Sequence, residues 1–334
     1  MLTVQKALHG SMRNLLLVLI SVLFYACHDQ VAAVKSATSG SNAAVLFDNY
    51  YNEKMRLSPF EATQNGISDY NDLFPIDISD SYRDTMKQFY TKYKTQLAAL
   101  DTAKLTEKDR TSFDILNWEL DRAIEGFAFP DNLMPINQFT SQTLNLGQLG
   151  SGEGSQPFKT ATDYDNWLRR ISHFPAWADT AISNMRRGMK QGWILPKSLV
   201  VKVLPQFKPM AEDSTLKHLF YQPVTKLLTN TTISDADKVR LTAAYAKMVN
   251  ENVKPTYKKL YNFMQKEYLP KARASSGVSA MPKGKEYYAS LAKYWTTTDL
   301  TPDQIFDLGQ KEVARIRAEM EEVRKQVEIG RAHV

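Results

Sequence analysis

The stretch with the clearest structural signal is residues 287–327, which read YYASLAKYWTTTDLTPDQIFDLGQKEVARIRAEMEEVRKQV. Within it, Thr301 can accept a hydrogen bond from the first helical turn and Pro302 suits the first helical position. Gln304 can reach back to the amide of the cap residue. Apolar residues then recur at helical spacing, namely Ile305, Leu308, Ile316, Met320, Val323 and Val327. The stretch therefore predicts a short helix over 287–294, a turn, and a long helix that begins after Thr301.

Apolar residues recur at helical spacing in the upstream sequence as well. They predict helices over 80–100, 106–126, 163–188 with a kink at Pro175, and 234–268 with an interruption at Pro255. We therefore predict a mainly α fold over residues 43–327, a multi-helix assembly with long irregular loops and little strand. The predicted loops are 127–161, which could be a lid, a cleft wall or a surface excursion, and 273–284. Residues 199–204, LVVKVL, are the best strand candidate, with an extended connector as the alternative.

Another helix start is indicated at Ser58. Ser58 is predicted to cap this short helix and Pro59 to occupy its first position. Glu61 is expected to reach back to the cap amide, and Gly66 to end the helix.

Composition limits the possible classes of protein. The chain has 334 residues, of which 43% are hydrophobic and 23% charged, so it can build a hydrophobic core. The formal net charge is +6, from 42 Lys and Arg against 36 Asp and Glu. We find no dense basic run, so we expect no nucleic-acid partner. Cys27 is the only cysteine, which excludes an internal disulfide.

The first residues have the features of an export signal. Met12 and Arg13 begin a short basic segment, and residues 15–25 form a mostly apolar run that is too short to cross a bilayer as a helix. Ala26 then precedes Cys27. This arrangement resembles bacterial lipoprotein signals, in which a small residue precedes the lipid-modified cysteine.

We therefore predict a lipoprotein-type signal peptide over residues 1–27, lipidation of Cys27 and a flexible tether over 28–42. The protein is then expected to be exported and anchored in the bacterial cell envelope, in the periplasm or outer membrane, and to contact the membrane only through its lipid. An uncleaved anchor and a cleaved secretory signal with an incidental cysteine are the alternatives. Met1 and Met12 are both candidate start residues.

The C-terminal block also carries a family resemblance. Residues 287–305 and 308–320 together resemble the bacterial domain-of-unknown-function family numbered 885. Members of that family have a Y-x-T-T-T-D-L-T-P-E-E-I pattern followed by G-x-x-E-V-A-R-I-R-A-E-M. Trp295 stands where Tyr or His is commoner. Softer matches occur at residues 59–66, 134–138 and 192–205, so the resemblance covers most of 43–327.

This resemblance implies a helical, zinc-metallopeptidase-like hydrolase. Members of the family carry an H-E-x-x-P-G-H-H-type motif downstream, in which two His bind zinc and the Glu activates the bound water. These 334 residues contain no such motif, and neither His173 nor His218 has a second His at helical spacing. We therefore assign no catalytic, cofactor-binding or metal-ligating residue in this chain. Zinc and a peptide substrate are expected for the full-length protein.

The last seven residues, EIGRAHV, suggest why the motif is missing. Codons that encode residues 328–334 can spell a common sequencing-library adapter, so we predict that these residues are a non-native tail and that the biological sequence departs near Val327. The alternative is a genuine tail that matches by chance.

Three hypotheses for function follow. In the first, the chain is the N-terminal fragment of a secreted, lipid-anchored zinc-metallopeptidase-like hydrolase, and is itself inactive. In the second, it is a non-catalytic helical surface lipoprotein that binds glycans or peptides. In the third, the fragment has no stable fold, because Ile316, Met320, Val323 and Val327 would lack partners. The sequence leaves the oligomeric state open.

For two other sequence patterns we predict no ligand-binding or catalytic role. The glycine-rich run at 147–154 lacks a following Lys-Ser/Thr, so we predict a plain flexible loop and not a phosphate cradle. Glu319, Glu321 and Glu322 are predicted to form surface pairs with neighbouring arginines rather than an acid–base dyad.

Overall fold

The computed structural model describes residues 42–327 of the chain. This part is mainly α-helical and contains no β-strand, which confirms the predicted fold class, while an isolated bridge joins Pro196 to Arg273. In chain order the helices are α1 (Asn42–Leu57), α2 (Pro59–Gln64), α3 (Asp80–Ala98), α4 (Glu107–Gly126), α5 (Gln142–Gly150), α6 (Ala161–Ile171), α7 (Phe174–Gln191), α8 (Lys197–Glu212), α9 (Pro223–Thr229), α10 (Asp235–Met248), α11 (Lys254–Phe263), α12 (Gly284–Thr296) and α13 (Pro302–Gln326).

Two large hydrophobic clusters hold helices α1 to α11 together. The smaller cluster lies among α1, α3 and α4, where the rings of Tyr50 and Phe89 stack with centroids 5.3 Å apart and Leu120 is fully buried. The larger cluster is built mainly from α5 to α11, with Trp167 and Tyr257 among its buried aromatic side chains. Burial of these side chains removes apolar surface from water, which is the main driving force for packing the helices.

A buried arginine ties an irregular segment to the larger cluster. Arg170 on α6 is fully buried, and its guanidinium lies 4.9 Å from the centroid of the Phe60 ring. It donates hydrogen bonds to Leu73 O at 2.9 Å, Thr63 Oγ1 at 2.9 Å, Gln156 Oε1 at 2.7 Å, Pro59 O at 3.3 Å and Tyr70 O. Burial lowers the pKa of Arg170 to about 10, so the side chain stays charged at neutral pH.

The predicted strand at 199–204 is wrong, because these residues form the first half of α8. Val200, Val203 and Phe207 are buried at helical spacing, on the side of α8 that packs against α11. Helical burial of one face overrides the preference of β-branched residues for strands. Helix α8 also contains Pro205 and Pro209, which would ordinarily interrupt a helix.

Residues 127–161 are less irregular than predicted. The structure places a 3₁₀ turn at Asp131–Leu133 and the nine-residue helix α5 within this segment. Gly147 and Gly150 belong to α5, so the predicted flexible glycine loop is wrong for these two residues. Gly150 packs where no side chain fits, since an added Cβ would lie 2.5 Å from Trp167 Cζ2.

Proline positions also differ in detail from the predictions. The predicted kink at Pro175 is a break between α6 and α7, and Pro175 is the second residue of α7. At Pro255 the helical path continues without a break, through a π-helical turn at Val249–Val253 that leads directly into α11. A π turn shifts the register of the backbone hydrogen bonds. The helix can therefore accommodate Pro255, which has no backbone N–H to donate.

The predicted side-chain cap is confirmed at Thr301 and wrong at Ser58, and Thr106 also caps its helix. Thr106 accepts a hydrogen bond from the Asp109 amide, and Thr301 and Gln304 form a complete capping box. The Ser58 side chain makes no cap hydrogen bond. Glu61 instead lies 3.1 Å from Lys54 Nζ, so a salt bridge across α1 and α2 replaces the predicted reach to the cap amide.

Candidate functional site

The family-like block at 287–320 forms helix α12, a sharp turn and most of α13. Thr297 ends α12 in the left-handed backbone region, with φ of 54°. Thr296 Oγ1 and Thr298 Oγ1 lie 2.9 Å apart within hydrogen-bonding distance. Lys293 Nζ lies 2.8 Å from Asp299 Oδ1, and this hydrogen bond lowers the pKa of the Asp299 carboxyl. The Thr-Thr-Asp-Leu-Thr-Pro residues therefore set the direction in which α13 leaves α12.

A cleft of about 330 Å³ lies where α12 meets the end of α4. We call it the aromatic cleft, and it is defined by Tyr90, Phe127, Tyr287, Tyr294, Trp295, Arg83 and Arg122. Tyr294 packs on Trp118 of α4 with ring centroids 5.6 Å apart, while Trp295 is 77% exposed. An exposed tryptophan beside a packed tyrosine offers an aromatic surface for contact with a ligand or another polypeptide.

A third small cluster fixes the floor of the aromatic cleft. Tyr287 of α12 lies against Phe129 and Trp193, with ring centroids 5.1 Å and 5.3 Å away. Leu133 and Met281 complete this cluster. Because these residues come from three separate segments, the cleft exists only in the folded chain.

The polar groups of the aromatic cleft favour binding over acid–base chemistry. Arg83 lies 5.2 Å from the Phe127 ring centroid, and its Nη2 donates to Phe129 O at 2.9 Å. Its Nη1 forms an ion pair with Asp131, the carboxylate that also lines the cleft. Arg122 is paired with Glu125, and its Nε has no hydrogen-bond partner. Burial raises the pKa of Tyr90 to about 12 and also raises that of Tyr287, so both phenols are neutral at physiological pH.

Helix α13 presents an apolar stripe to solvent. None of its residues is buried. We define the α13 apolar face as Phe306, Val313, Ile316, Met320, Val323 and Val327, each of which is between 45% and 65% exposed. The last four are the residues that the third hypothesis expects to lack partners. Spacings of three, four and seven residues place these side chains on one side of the helix, with Val327 directly after its last residue, in the pattern of a helix–helix seam.

Glu319, Glu321 and Glu322 of α13 form surface pairs, as predicted, although the partner of Glu322 is Lys325 and not an arginine. Arg315 lies 2.7 Å from both Glu312 and Glu319, and Lys325 lies 2.8 Å from Glu322. Arg324 pairs with Glu321 at 2.8 Å. The partners of each pair are three or four residues apart, so they are neighbours on the helix surface. Each such pair stabilises an exposed helix by about 0.2–0.5 kcal/mol.

The two histidines singled out in the sequence do not come together as a metal site. His173 is exposed at the start of α7. His218 is fully buried, and both ring nitrogens are engaged, Nε2 with Met210 O at 3.0 Å and Nδ1 with the Phe220 amide at 3.2 Å. Within residues 42–327 no group of three or more His, Cys, Asp or Glu side chains could hold a metal ion. The described residues therefore do not fit a zinc site.

Several sequence predictions lie outside the described residues. They are the signal peptide over 1–27, lipidation of Cys27, the tether over 28–42 except Asn42, which begins α1, and the tail over 328–334. None of the helices in the described part combines the length and hydropathy that a membrane crossing requires.

Sequence analysis did not find the cations of the aromatic cleft. Arg83 and Arg122 lie on helices α3 and α4, and no motif distinguishes them from the other charged residues of these helices. The sequence feature that could have indicated this cleft is Trp295, a large aromatic residue directly before the polar residues 296–299.

Comparisons with known proteins agree with this architecture. The profile of the family described as "Bacterial protein of unknown function (DUF885)" matches residues 59–333. No curated protein shows significant sequence similarity to the chain.

Two solved structures share the fold. One is the crystal structure of a protein described as a putative lipoprotein from Colwellia psychrerythraea, with 19% identity and a TM-score of 0.76 over 87% of this chain and 52% of that one. The other is described as a putative lipoprotein of unknown function from Shewanella oneidensis, with 15% identity and a TM-score of 0.61 over 86% of this chain and 48% of that one. This chain thus spans about half the length of both proteins.

Proposed function

This chain belongs to the DUF885 family of bacterial proteins, and from that premise we propose that it is the N-terminal helical part of a longer hydrolase of the zinc-metallopeptidase type. In this proposal the protein is exported and anchored to the cell envelope through lipid on Cys27. The similarity of its fold to two proteins described as lipoproteins supports envelope association.

The observation that carries the proposal is the α13 apolar face. Soluble proteins rarely leave a continuous apolar stripe of six large side chains in water. The solved relatives are about twice as long as the matched region, since it covers 52% and 48% of their chains. A downstream half that packs on the α13 apolar face would bury the stripe, and would close the aromatic cleft from the side where Trp295 is exposed.

Hydrolase activity is the finer part of the proposal and comes from the family resemblance. Because the described residues do not fit a zinc site, the proposal assigns the metal ligands to the downstream half. The residues of this chain would then provide one wall of a substrate cleft. Aromatic faces and the two arginines suit contacts with peptide side chains and carbonyl groups.

We expect the 334-residue chain to bind no stoichiometric zinc and to hydrolyse no peptide, because its described part offers no set of metal ligands. Recovering the locus from genomic DNA should reveal an in-frame continuation with an H-E-x-x-H-type motif. The longer product should bind zinc stoichiometrically and cleave peptides in a chelator-sensitive reaction, measured by metal analysis and a peptide digest.

Two outcomes would contradict this proposal. One is chelator-sensitive peptidase activity from the 334-residue chain itself. The other is a natural stop codon directly after Val334 in the intact gene. A longer product that binds peptides or glycans without cleaving them would favour the non-catalytic lipoprotein.

The packing role of α13 can be tested with Met320→Glu. In the 334-residue chain this change should alter the free energy of unfolding by less than about 0.5 kcal/mol, because Met320 is 65% exposed. In the longer product the new carboxylate would be buried against apolar side chains, and we expect a loss of roughly 2–3 kcal/mol in urea unfolding.

The matched control is Ala318→Glu, which adds the same charge to the opposite side of α13. Ala318 is exposed, and two residues from Met320 it lies about 200° around the helix. It should have little effect in either protein. Equal effects of the two substitutions in the longer product would argue against burial of the α13 apolar face.

A further inference from the structure

A wide groove of about 850 Å³ lies between α7 and α11. We call it the basic groove, because six of the residues that line it are basic and two are acidic, a formal excess of four positive charges. The basic residues are Arg186, Arg187 and Lys190 of α7, Lys258 and Lys259 of α11, and Lys266 of the π turn after α11. A concave surface lined mainly by one sign of charge attracts ligands of the opposite sign.

Two salt bridges between the helices hold the walls of the basic groove. Lys259 pairs with Asp179. Arg186 donates two hydrogen bonds to Glu267, from Nε to Oε2 at 2.9 Å and from Nη2 to Oε1 at 2.7 Å. The Arg186 guanidinium also lies 5.4 Å from the centroid of the Phe263 ring. These contacts fix the spacing of the two walls and occupy both carboxylates of the groove.

Three lysines of the basic groove remain available to a ligand. In the part of the chain that the structure describes, Lys190, Lys258 and Lys266 form no salt bridge, and all three residues are exposed. Lys258 lies at the Asp179 end of the groove, whereas Lys190 and Lys266 lie at the Glu267 end. Each ammonium group offers three donors and a full positive charge, so it is complemented by an anionic acceptor.

The length of the basic groove suits an extended ligand with several charges. Along α7 the groove reaches from Asp179 to Lys190, which at 1.5 Å per residue is about 17 Å. An extended polypeptide advances roughly 3.3 Å per residue, so about five residues span this distance. A peptide with several acidic side chains can therefore place carboxylates near the lysines at both ends.

Two neutral polar side chains lie between the charged ends. Ser183 of α7 and Asn262 of α11 line the groove, and neither side chain has a hydrogen-bond partner among the described residues. Ser183 is exposed and Asn262 is half-buried, so a ligand in the groove can reach both. The carboxamide of Asn262 both donates and accepts, as a peptide group does, whereas a chain of phosphates offers only acceptors.

The large apolar residues of the basic groove are hidden from solvent. Ile182 and Phe263 are only 5% and 4% exposed. The groove therefore presents no aromatic ring on which a nucleic-acid base could stack. It also presents no large apolar side chain that could enter the acyl region of a bilayer.

We propose that the basic groove binds an extended acidic peptide segment of about five residues. Its carboxylates pair with Lys190, Lys258 and Lys266, and one of its peptide groups pairs with the Asn262 carboxamide. The proposal goes beyond the proposed function, because the groove shares no residue with the aromatic cleft or the α13 apolar face and needs nothing from the downstream half.

The experiment titrates the full 334-residue chain with N-acetyl-pentaglutamate amide at 100 mM NaCl, followed by ligand-observed NMR. Binding should saturate, and N-acetyl-pentaglutamine amide should not bind. Combining Lys190→Gln, Lys258→Gln and Lys266→Gln should weaken binding of the pentaglutamate at least about tenfold. All three positions are exposed, so circular dichroism should show an unchanged fold.

The matched control combines Lys87→Gln, Lys108→Gln and Lys208→Gln. These three lysines are also exposed but do not line the groove, so the change in net charge is the same. Their removal should alter binding less than about twofold, because the screening length at this salt concentration is only about 10 Å.

Asn262→Ala tests the selection of a peptide over other anions. Loss of the carboxamide should weaken binding of the pentaglutamate roughly three- to tenfold and leave binding of sodium triphosphate within about twofold. Sedimentation with phosphatidylglycerol vesicles tests a membrane surface as the ligand, and we expect the three groove substitutions to leave it unchanged.

Three results would overturn the proposal. The first is the absence of saturable binding of the pentaglutamate. The second is an equal loss of binding in the groove variant and its control, which would indicate a general effect of net charge. The third is binding of triphosphate or of vesicles that depends on the groove lysines while Asn262→Ala leaves pentaglutamate binding unchanged, which would indicate a phosphate or membrane site.

Discussion

Replacing Arg170 with methionine should lower the free energy of unfolding by about 3–4 kcal/mol. Methionine can fill much of the space, but it leaves Leu73 O and Gln156 Oε1 without a donor in the interior, and it removes one of the donors to Pro59 O and to Tyr70 O. Each buried acceptor that loses its partner costs about 1–3 kcal/mol, and the effects overlap because the segment can relax. Urea unfolding followed by circular dichroism measures the change.

The adjacent residue provides the control. Arg169 lies on the same helix, its side chain is 56% exposed, and it pairs with Asp72 at 3.4 Å. Arg169→Met should cost less than about 1 kcal/mol, as expected for an exposed ion pair. Similar losses for the two substitutions would show that Arg170 does not act through its buried hydrogen bonds.

Gly150→Ala should destabilise the chain by roughly 2–3 kcal/mol, although alanine is the better helix former. The added Cβ would lie 2.5 Å from Trp167 Cζ2 and 2.7 Å from Phe220 Cδ1, and both rings are fully buried. Rings packed on all sides cannot move without disturbing their neighbours, so one methyl group overpacks the core. The shift of the urea midpoint reports the loss.

Gly147→Ala, one helical turn earlier in α5, is the matched substitution with the opposite expected sign. Its Cβ has room, so the gain in helix propensity should stabilise the chain by up to about 1 kcal/mol. If both glycine substitutions change stability in the same direction, close packing of α5 against Trp167 is not the reason for Gly150.

The substitutions at Arg170 and Gly150 both test how helix α6 is packed against its neighbours. Arg170 secures residues 59–74 against α6 through hydrogen bonds, and Gly150 lets α5 approach Trp167 of that helix. Helix α6 is therefore the element on which the irregular parts of the larger cluster depend. The α13 apolar face lies outside this arrangement, so its substitutions should leave the stability of the chain nearly unchanged.

Local sequence determined the secondary structure wherever the signal depends on neighbours within one helical turn. Thr301 and Gln304 form their capping box, Thr106 caps α4, and Trp167, Ile171 and Phe174 are all buried, as their spacing predicts. The mainly α fold class follows from such signals. The family also follows from sequence, since the block at 287–320 carries a specific pattern.

Only the tertiary structure decided the features that depend on distant residues. Residues 199–204 have the composition of a strand, yet they form α8 because one face is buried against α11. The hydrogen bonds of Arg170 join residues about 100 positions apart, and no local pattern announces them. The aromatic cleft likewise needs α4 beside α12. Helix caps and apolar stripes can be predicted from a few neighbouring residues because the interactions that stabilise them are local. Packing and buried polar contacts cannot, because their partners come together only when the chain folds.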